Sequence, residues 1–394
     1  MILLRTALKN ILSNGRRAWL NVIVLSFTFG VMLFYGSVMD GWVSQSKNDA
    51  REWECADGQV IHPSYDRYDP FTLSDAHGVV PPTLAAMVDE GQLEPLLICQ
   101  ASLYPKGRMI NVQLKGMRRD QSIVSIPTQA LAPYDAEPID AIPVLIGRRM
   151  AEMSRLSKGD RVMMRWRDGN GMYDARRVRI DSIFDSPSLA VDNGVIWMEL
   201  EQLRDIAAMP DEVTYLLKQP STTLPADLEG WRFESVETLI ADILLFAQSE
   251  RVEMCVIIAI LLSIALLAVF DTQMLSIFRR QREIGTYIAL GMTPRQVMGL
   301  FTLEGTLYSL LAVVATSIWE TPLLVWVASA GIDMGEMIEA SGRPIAQVIY
   351  PSISMPTLTL MIVVLLLFSA LISYLPTRRI ARQSIVTALK GKIS

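Results

Sequence analysis

The residues here whose chemistry needs explaining are ionisable groups that interrupt or border long apolar runs. Asp271 and Glu320 fall within or near runs long enough to cross a membrane, where an ionised side chain costs roughly 3 kcal/mol on insertion scales. Such positions are functional candidates by default, and each also has a structural account. Asp271 comes shortly before Arg279 and can reach an interface; Glu320 precedes Thr321-Pro322, where a helix is expected to bend or leave the membrane. A charged segment, 279–296, joins two apolar runs. Arg282 and Glu283 open it, Ile284, Ile288 and Leu290 supply an apolar face, and Gly291 ends it. Thr293 and Pro294 then start a new helix that carries Arg295 and, further on, Glu304. An amphipathic helix in so short a loop suits the docking of a partner. The competing reading is that its arginines only anchor the loop against anionic lipid. Glu304 is placed to brace the loop by pairing with Arg282 or Arg295, or to sit solvated at the interface.

Catalytic chemistry is not expected. The two histidines, His62 and His77, belong to no Cys/His cluster, so no metal site is expected. Neither a Ser/His/Asp set nor a paired-carboxylate arrangement stands out, and no G-x-x-x-x-G-K-[ST] phosphate loop occurs. The chain is therefore expected to bind no cofactor and to perform no ATP hydrolysis itself. Its uneven charge reflects membrane orientation, not nucleic-acid binding: basic residues crowd the ends of the apolar runs and acids dominate the middle. Cys55 and Cys99 are either a disulfide or two buried thiols.

The elements that must position these residues follow from hydropathy. Hydrophobic residues make up 51% of the chain and charged ones 20%, and the apolar residues are clumped, which places a membrane reading first. Residues 1–17, with Arg5, Lys9, Arg16 and Arg17 beside Leu3, Leu4, Leu8, Ile11 and Leu12, read as an interfacial helix. Apolar spans are expected at 18–39, 254–278, 297–330 and 355–377, each near or above the ~20 residues that cross a bilayer. Ser26 and Gly30 form a small-xxx-small pair that would let another helix approach. Basic residues flank the first span, the 279–296 loop and the tail 378–394, so with four spans all three lie on one side, cytoplasmic by the positive-inside rule. Residues 40–250 and the loop 331–354 then lie outside. The long middle region mixes short β-like runs (59–62, 109–114, 161–165, 178–183 and 194–198) with helical patterns (82–90, 147–156 and 199–208). It is expected to be an α+β domain, with Asp168-Gly169-Asn170-Gly171 as a tight hairpin turn. The fold class is thus an α-helical membrane protein of four transmembrane helices carrying a large α+β periplasmic domain.

The stretch FRRQREIGTYIALGMTPRQVMGLFTLEG, 278–305, closely resembles the signature of the FtsX-like permease family. The matching positions are Arg282, Glu283, Ile284, Gly285, Ala289, Gly291, Thr293 and Glu304. The ends, 4–25 and 374–391, are similar to this family's termini. DGQVIHPSYDRYDP (57–70) and IGRRMAEMSRLSKGDRVMMRW (146–166) are similar to its lipoprotein-releasing (LolC/LolE-type) branch. The resemblance implies a permease subunit of a mechanotransmission-type ABC transporter in a bacterial inner membrane, both termini cytoplasmic. Its implied partners are a cytoplasmic ATPase dimer that binds ATP and Mg, a second permease (a copy or a paralogue) and membrane lipid. Lipoproteins or a periplasmic protein are further implied partners. The implied activity is extrusion of a lipoprotein or similar amphiphile; efflux of peptides or antibiotics, and transport-free control of a cell-envelope hydrolase, are the alternatives. One departure weakens the lipoprotein branch: where one of its paired permeases carries a long chaperone-capturing hairpin, this chain has about ten residues between Trp166 and Val178.

Overall fold

The computed structural model describes residues 15–133, 141–333 and 348–378. The interfacial helix expected at 1–17 and the tail at 378–394 fall almost wholly outside them, as does most of the 331–354 loop. In chain order the main elements are α1 (Gly15–Ala50), β1 (Gln59–Ile61), β2 (Gly78–Val79), α2 (Pro82–Asp89), β3 (Leu93–Leu103) and β4 (Ile110–Met117). There follow β5 (Ile142–Gly147), α3 (Arg148–Ser154), β6 (Arg161–Arg167), β7 (Tyr173–Phe184), β8 (Val195–Glu199) and α4 (Leu200–Ala207). The chain continues through β9 (Glu212–Val213), β10 (Tyr215–Lys218), β11 (Arg232–Glu234), α5 (Ala241–Arg279) and α6 (Gln281–Ala289). It closes with α7 (Pro294–Ala330), β12 (Ile332–Asp333), β13 (Val348–Ile349) and α8 (Met355–Thr377). These elements form two compact units, one of residues 1–43, 246–333 and 348–394, the other of 44–245 and 334–347.

Among the described residues four helices, α1, α5, α7 and α8, are long and apolar enough to cross a membrane. At 39 residues α5 is roughly twice as long as a bilayer requires, and it starts at Ala241, well before the expected 254. The helices pack around Leu25 and Phe29 of α1, Ala265 and Val269 of α5, Leu307 and Ala312 of α7, and Leu365 of α8. Between them runs a seam of small and hydroxyl side chains. Thr316 Oγ1 lies 3.0 Å from Ser26 Oγ, and Trp319 Nε1 donates to the same oxygen at 3.0 Å. Gly30 faces Trp319 and Glu320 so closely that an added Cβ would fall 2.5 Å from the indole. The Ser26/Gly30 pair thus does what its spacing implied: it brings α1 against α7. At Thr321-Pro322 the helical assignment of α7 continues, with Pro322 inside the helix, to Ala330.

The second unit is built on a nine-stranded sheet in the order β11-β1-β10-β3-β4-β8-β5-β7-β6. β3 is long enough to serve two partners along one edge. Leu93–Leu96 pair with β10, while Ala101–Leu103 pair with Met164–Trp166 of β6. The second pairing closes β3-β4-β8-β5-β7-β6 into a six-stranded barrel, which removes free edges. Alternate residues from all six strands, among them Leu103, Leu114, Val144, Trp166, Ile180 and Ile196, form one buried cluster. Along β6 the alternation is complete: Val162, Met164 and Trp166 are buried, Arg161, Met163, Arg165 and Arg167 exposed. The β6–β7 turn spans residues 168–172. Asp168 Oδ1 accepts from Asn170 N at 3.0 Å and Met172 N at 2.7 Å, as an Asx-type turn requires. Gly147 ends β5 where any Cβ would come within 1.6 Å of Asp192 Oδ1, so only glycine fits. Asp192, fully buried, there pairs with Arg149 at 3.0 Å. Cys55 and Cys99 are separate buried free thiols, not a disulfide. Burial pushes both up to about 12, which leaves them unreactive.

Candidate functional site

The segment 279–304 folds as a helix–turn–helix between two spans. Arg280 links α5 to α6, and α6 ends at Ala289 because Gly291 takes a positive φ of 98°, which the Cβ of another residue would resist. Thr293 then caps α7: its Oγ1 accepts from Gln296 N at 3.4 Å, while the Gln296 side chain accepts from Thr293 N at 2.9 Å.

The two faces of α6 differ. Ile284 and Gly285 are buried, and Ile284 clusters with Ile277, Val297 and Phe301, with Ile288 packing at the margin. Arg282, Glu283, Ala289, Gly291, Thr293 and Arg295 are exposed. Leu290 was expected on the apolar face with Ile284 and Ile288, but it caps α6 and is 78% exposed. The chain leaves the helical period there, so Leu290 points away from the core.

The residue that organises the site is Arg280. Its Nε donates to Glu283 Oε2 at 2.7 Å and its Nη1 to Glu304 Oε2 at 3.1 Å. Its guanidinium also lies 5.0 Å from the centre of the Phe301 ring. Burial alone would lower its pKa, but the two carboxylates outweigh burial and hold it above the ordinary value. Glu304 is fully buried on α7. The structure thus supplies Arg280 where Arg282 or Arg295 had been expected as its partner. The three-residue spacing of Arg280 and Glu283 was visible in the sequence. The bond to Glu304, 24 positions on, was not. The remaining membrane-depth acids are elsewhere: Asp271 is exposed on α5, and Glu320 is fully buried on α7 beside Gly30. The structure brings neither to the α6 turn.

Among the described residues no His/Cys/Asp/Glu group could hold a metal ion. What this arrangement can do is present an exposed cationic and apolar surface tied to two long apolar helices.

Residues 255–385 match the FtsX-like permease C-terminal family. The matched stretch contains all of α6, α7 and α8, and with them the whole Arg280–Glu283–Glu304 arrangement. An FtsX-like permease domain indicates a permease-type subunit of an ABC transporter, a multi-pass membrane protein that works with an ATPase partner. Permease subunits of this kind are generally non-catalytic. No curated protein matches the chain.

Proposed function

We propose that α6 is the coupling helix on which the cytoplasmic ATPase docks, with Arg282, Leu290 and Arg295 as its exposed contacts. The carrying observation is the Arg280 brace. It ties α6 to α7 through Glu283 and Glu304, so a push on the exposed face reaches a membrane-spanning helix instead of bending a loop. The basic residues around α1, the α5–α7 connection and the chain end support a cytoplasmic side for α6 and an outer side for the α/β unit. In this reading the protein sits in a bacterial inner membrane and pairs with a second permease, a copy or a paralogue. Its ATPase dimer binds the ATP and Mg. Closure of that dimer moves the helices, and the α/β unit extrudes a lipoprotein or similar amphiphile from the membrane.

The five-residue β6–β7 turn favours a second reading of the cargo. Without a long hairpin to hold a chaperone, the same machine suits periplasmic efflux of peptides or antibiotics, or control of a cell-envelope hydrolase. Purification from native membranes in mild detergent, followed by mass spectrometry, tests both levels. An ATPase with acylated proteins supports lipoprotein release, and an ATPase without them supports efflux or regulation. A folded preparation with no ATPase overturns the coupling role. Leu290→Asp is expected to abolish ATPase copurification while leaving the melting temperature unchanged. Cysteine labelling at Asn170 and Thr286, both exposed, must occur from opposite sides of the membrane for the topology to stand.

A further inference from the structure

The outer surface of the barrel carries a cleft of about 910 Å³ whose lining is unlike the rest of the chain. Four cationic side chains line it, Arg67, Lys115, Arg165 and Arg167, against the single carboxylate of Glu54. Glu54 is already taken, since Arg67 pairs with it. The chain as a whole carries a formal charge of −5, so this cationic excess is local and not a reflection of a basic protein.

Lys115 is the anomaly. It is 7% exposed, and among the described residues it makes no ion pair and no hydrogen bond; its ammonium lies 5.4 Å from the centre of the Trp197 ring, and Glu54, which acts on it through space, is paired with Arg67. A buried ammonium with no ion pair or hydrogen bond is costly, and a methionine or leucine would pack there without that cost. Arg165 likewise stacks at 4.2 Å on the Tyr173 ring, and Arg167 donates to the carbonyl of Gly171 at 3.3 Å and meets no carboxylate among the described residues. Sheet register puts these groups on one face. Lys115 stands opposite Ile98, Gln113 opposite Gln100, and Asn111 opposite Ser102, which in turn faces Arg165. Lys115 and Arg165 are thus four rungs apart, roughly 13 Å along the strands. Amide and hydroxyl side chains fill the rungs between them.

We propose that this cleft is a binding site for a phosphorylated small molecule of saccharide size, with Lys115, Arg165 and Arg167 meeting its anionic group and the amides of Gln100, Asn111 and Gln113 meeting its hydroxyls. The volume lies in the range of ordinary ligand pockets. Cationic donors with unspent charge suit a phosphate ester, and amides at strand spacing suit a polyhydroxy body. The phosphate ester can be a soluble metabolite or the headgroup of a lipid. This site is independent of the docking role assigned to α6.

The test uses the full-length protein in phosphatidylcholine nanodiscs, titrated calorimetrically with glucose 6-phosphate, inorganic phosphate and glucose. Both phosphates are expected to bind, the ester more tightly, and glucose not at all. Lys115→Met and Arg165→Gln are each expected to weaken glucose 6-phosphate at least tenfold. Lys115→Met should also melt about 2–4 °C higher, because it relieves a buried charge. Arg165 is exposed, so its substitution guards against loss of the fold as the cause. Burial lowers Lys115 to about 8, with Glu54 raising it and Arg67 lowering it further, while Tyr65 and Tyr215, which line the same cleft, and Arg67 are all raised, so affinity should fall as pH goes from 7 to 9. Displacement of glucose 6-phosphate when phosphatidylglycerol enters the disc assigns a lipid headgroup; undiminished binding assigns a soluble ligand. Failure of both phosphates to bind, or equal affinity in wild type and Lys115→Met, overturns the proposal.

Discussion

On α5 of the helical unit the outward residues are Val256, Ile260, Ile264 and Leu267, each more than half exposed. On β6 of the α/β unit the outward residues include Arg161, Arg165 and Arg167. The insides are reversed as well. Among the helices the buried contacts include hydroxyls, such as Ser309 donating to Ser369 and Thr302 Oγ1 lying 3.3 Å from Thr377 Oγ1. Inside the barrel the buried alternate residues, such as Leu103, Leu114, Val144, Trp166, Ile180 and Ile196, are apolar. The difference follows from solvent. In lipid a leucine gains nothing by turning inward, so helices associate through small residues, close contacts and hydrogen bonds. In water apolar burial dominates, and a barrel that hides alternate residues and closes its edges satisfies both the side chains and the backbone. Among the described residues most charges buried in either unit are tied by a specific partner, as Glu94, Asp192 and Glu304 are by arginines; Lys115 and Glu320 form no ion pair.

That contrast can be broken at defined points. The largest effect is expected at the Arg280 brace. Arg280→Ala removes the guanidinium from the buried carboxylate of Glu304 and should cost about 3 kcal/mol, with loss of ATPase stimulation by the permease. Arg280→Lys should restore part of the stability and little of the stimulation, because one ammonium cannot span both carboxylates as the fork does. If Arg280→Ala stimulates the ATPase normally, the brace transmits nothing.

In the α/β unit, Gly147→Ala drives a Cβ into Asp192 and should cost about 1–3 kcal/mol, read as a lower melting temperature of that unit. The same substitution at Gly291, open to solvent but at positive φ, should cost about 1 kcal/mol.

The pH dependence of Lys115 sharpens the comparison further. Its pKa is about 8 in the folded state, below its ordinary 10.5. Between those values the unfolded chain holds the proton and the folded one does not, so stability should rise with pH across that window. The expected gain relative to Lys115→Met is about 2–3 kcal/mol from pH 7 to 10. Equal pH profiles for the two proteins would show that the ammonium is solvated after all. The smallest effect concerns Cys55 and Cys99: native protein should leave both thiols unlabelled by maleimide, and denatured protein should expose them.

Much of the architecture could be read from local pattern. Hydropathy marks all four long helices, since a run of about 20 apolar residues has few other stable outcomes. Short β-like runs mark β1, β4, β6, β7 and β8, and the Asp-Gly-Asn-Gly turn marks the hairpin between β6 and β7. β3, β5 and β10 escaped: LEPLLICQASL and IPVLIG are apolar runs without alternation, which periodicity alone does not separate from buried helix. Of the candidate site, the capping of α7 and the end of α6 at Gly291 were readable, because both are chemistry within four residues.

The sequence by itself determined the spans, the charge asymmetry around them and the amphipathic turn between α5 and α7. These depend on side-chain transfer energies and on neighbours a few residues away. Only the tertiary structure decided that Arg280 holds Glu304, that β3 closes the barrel on β6, and that Lys115 opens into a cationic cleft instead of meeting an acid. Each of those joins residues at least 24 positions apart, and at that separation the partner is chosen by packing and strand register, which no local pattern encodes.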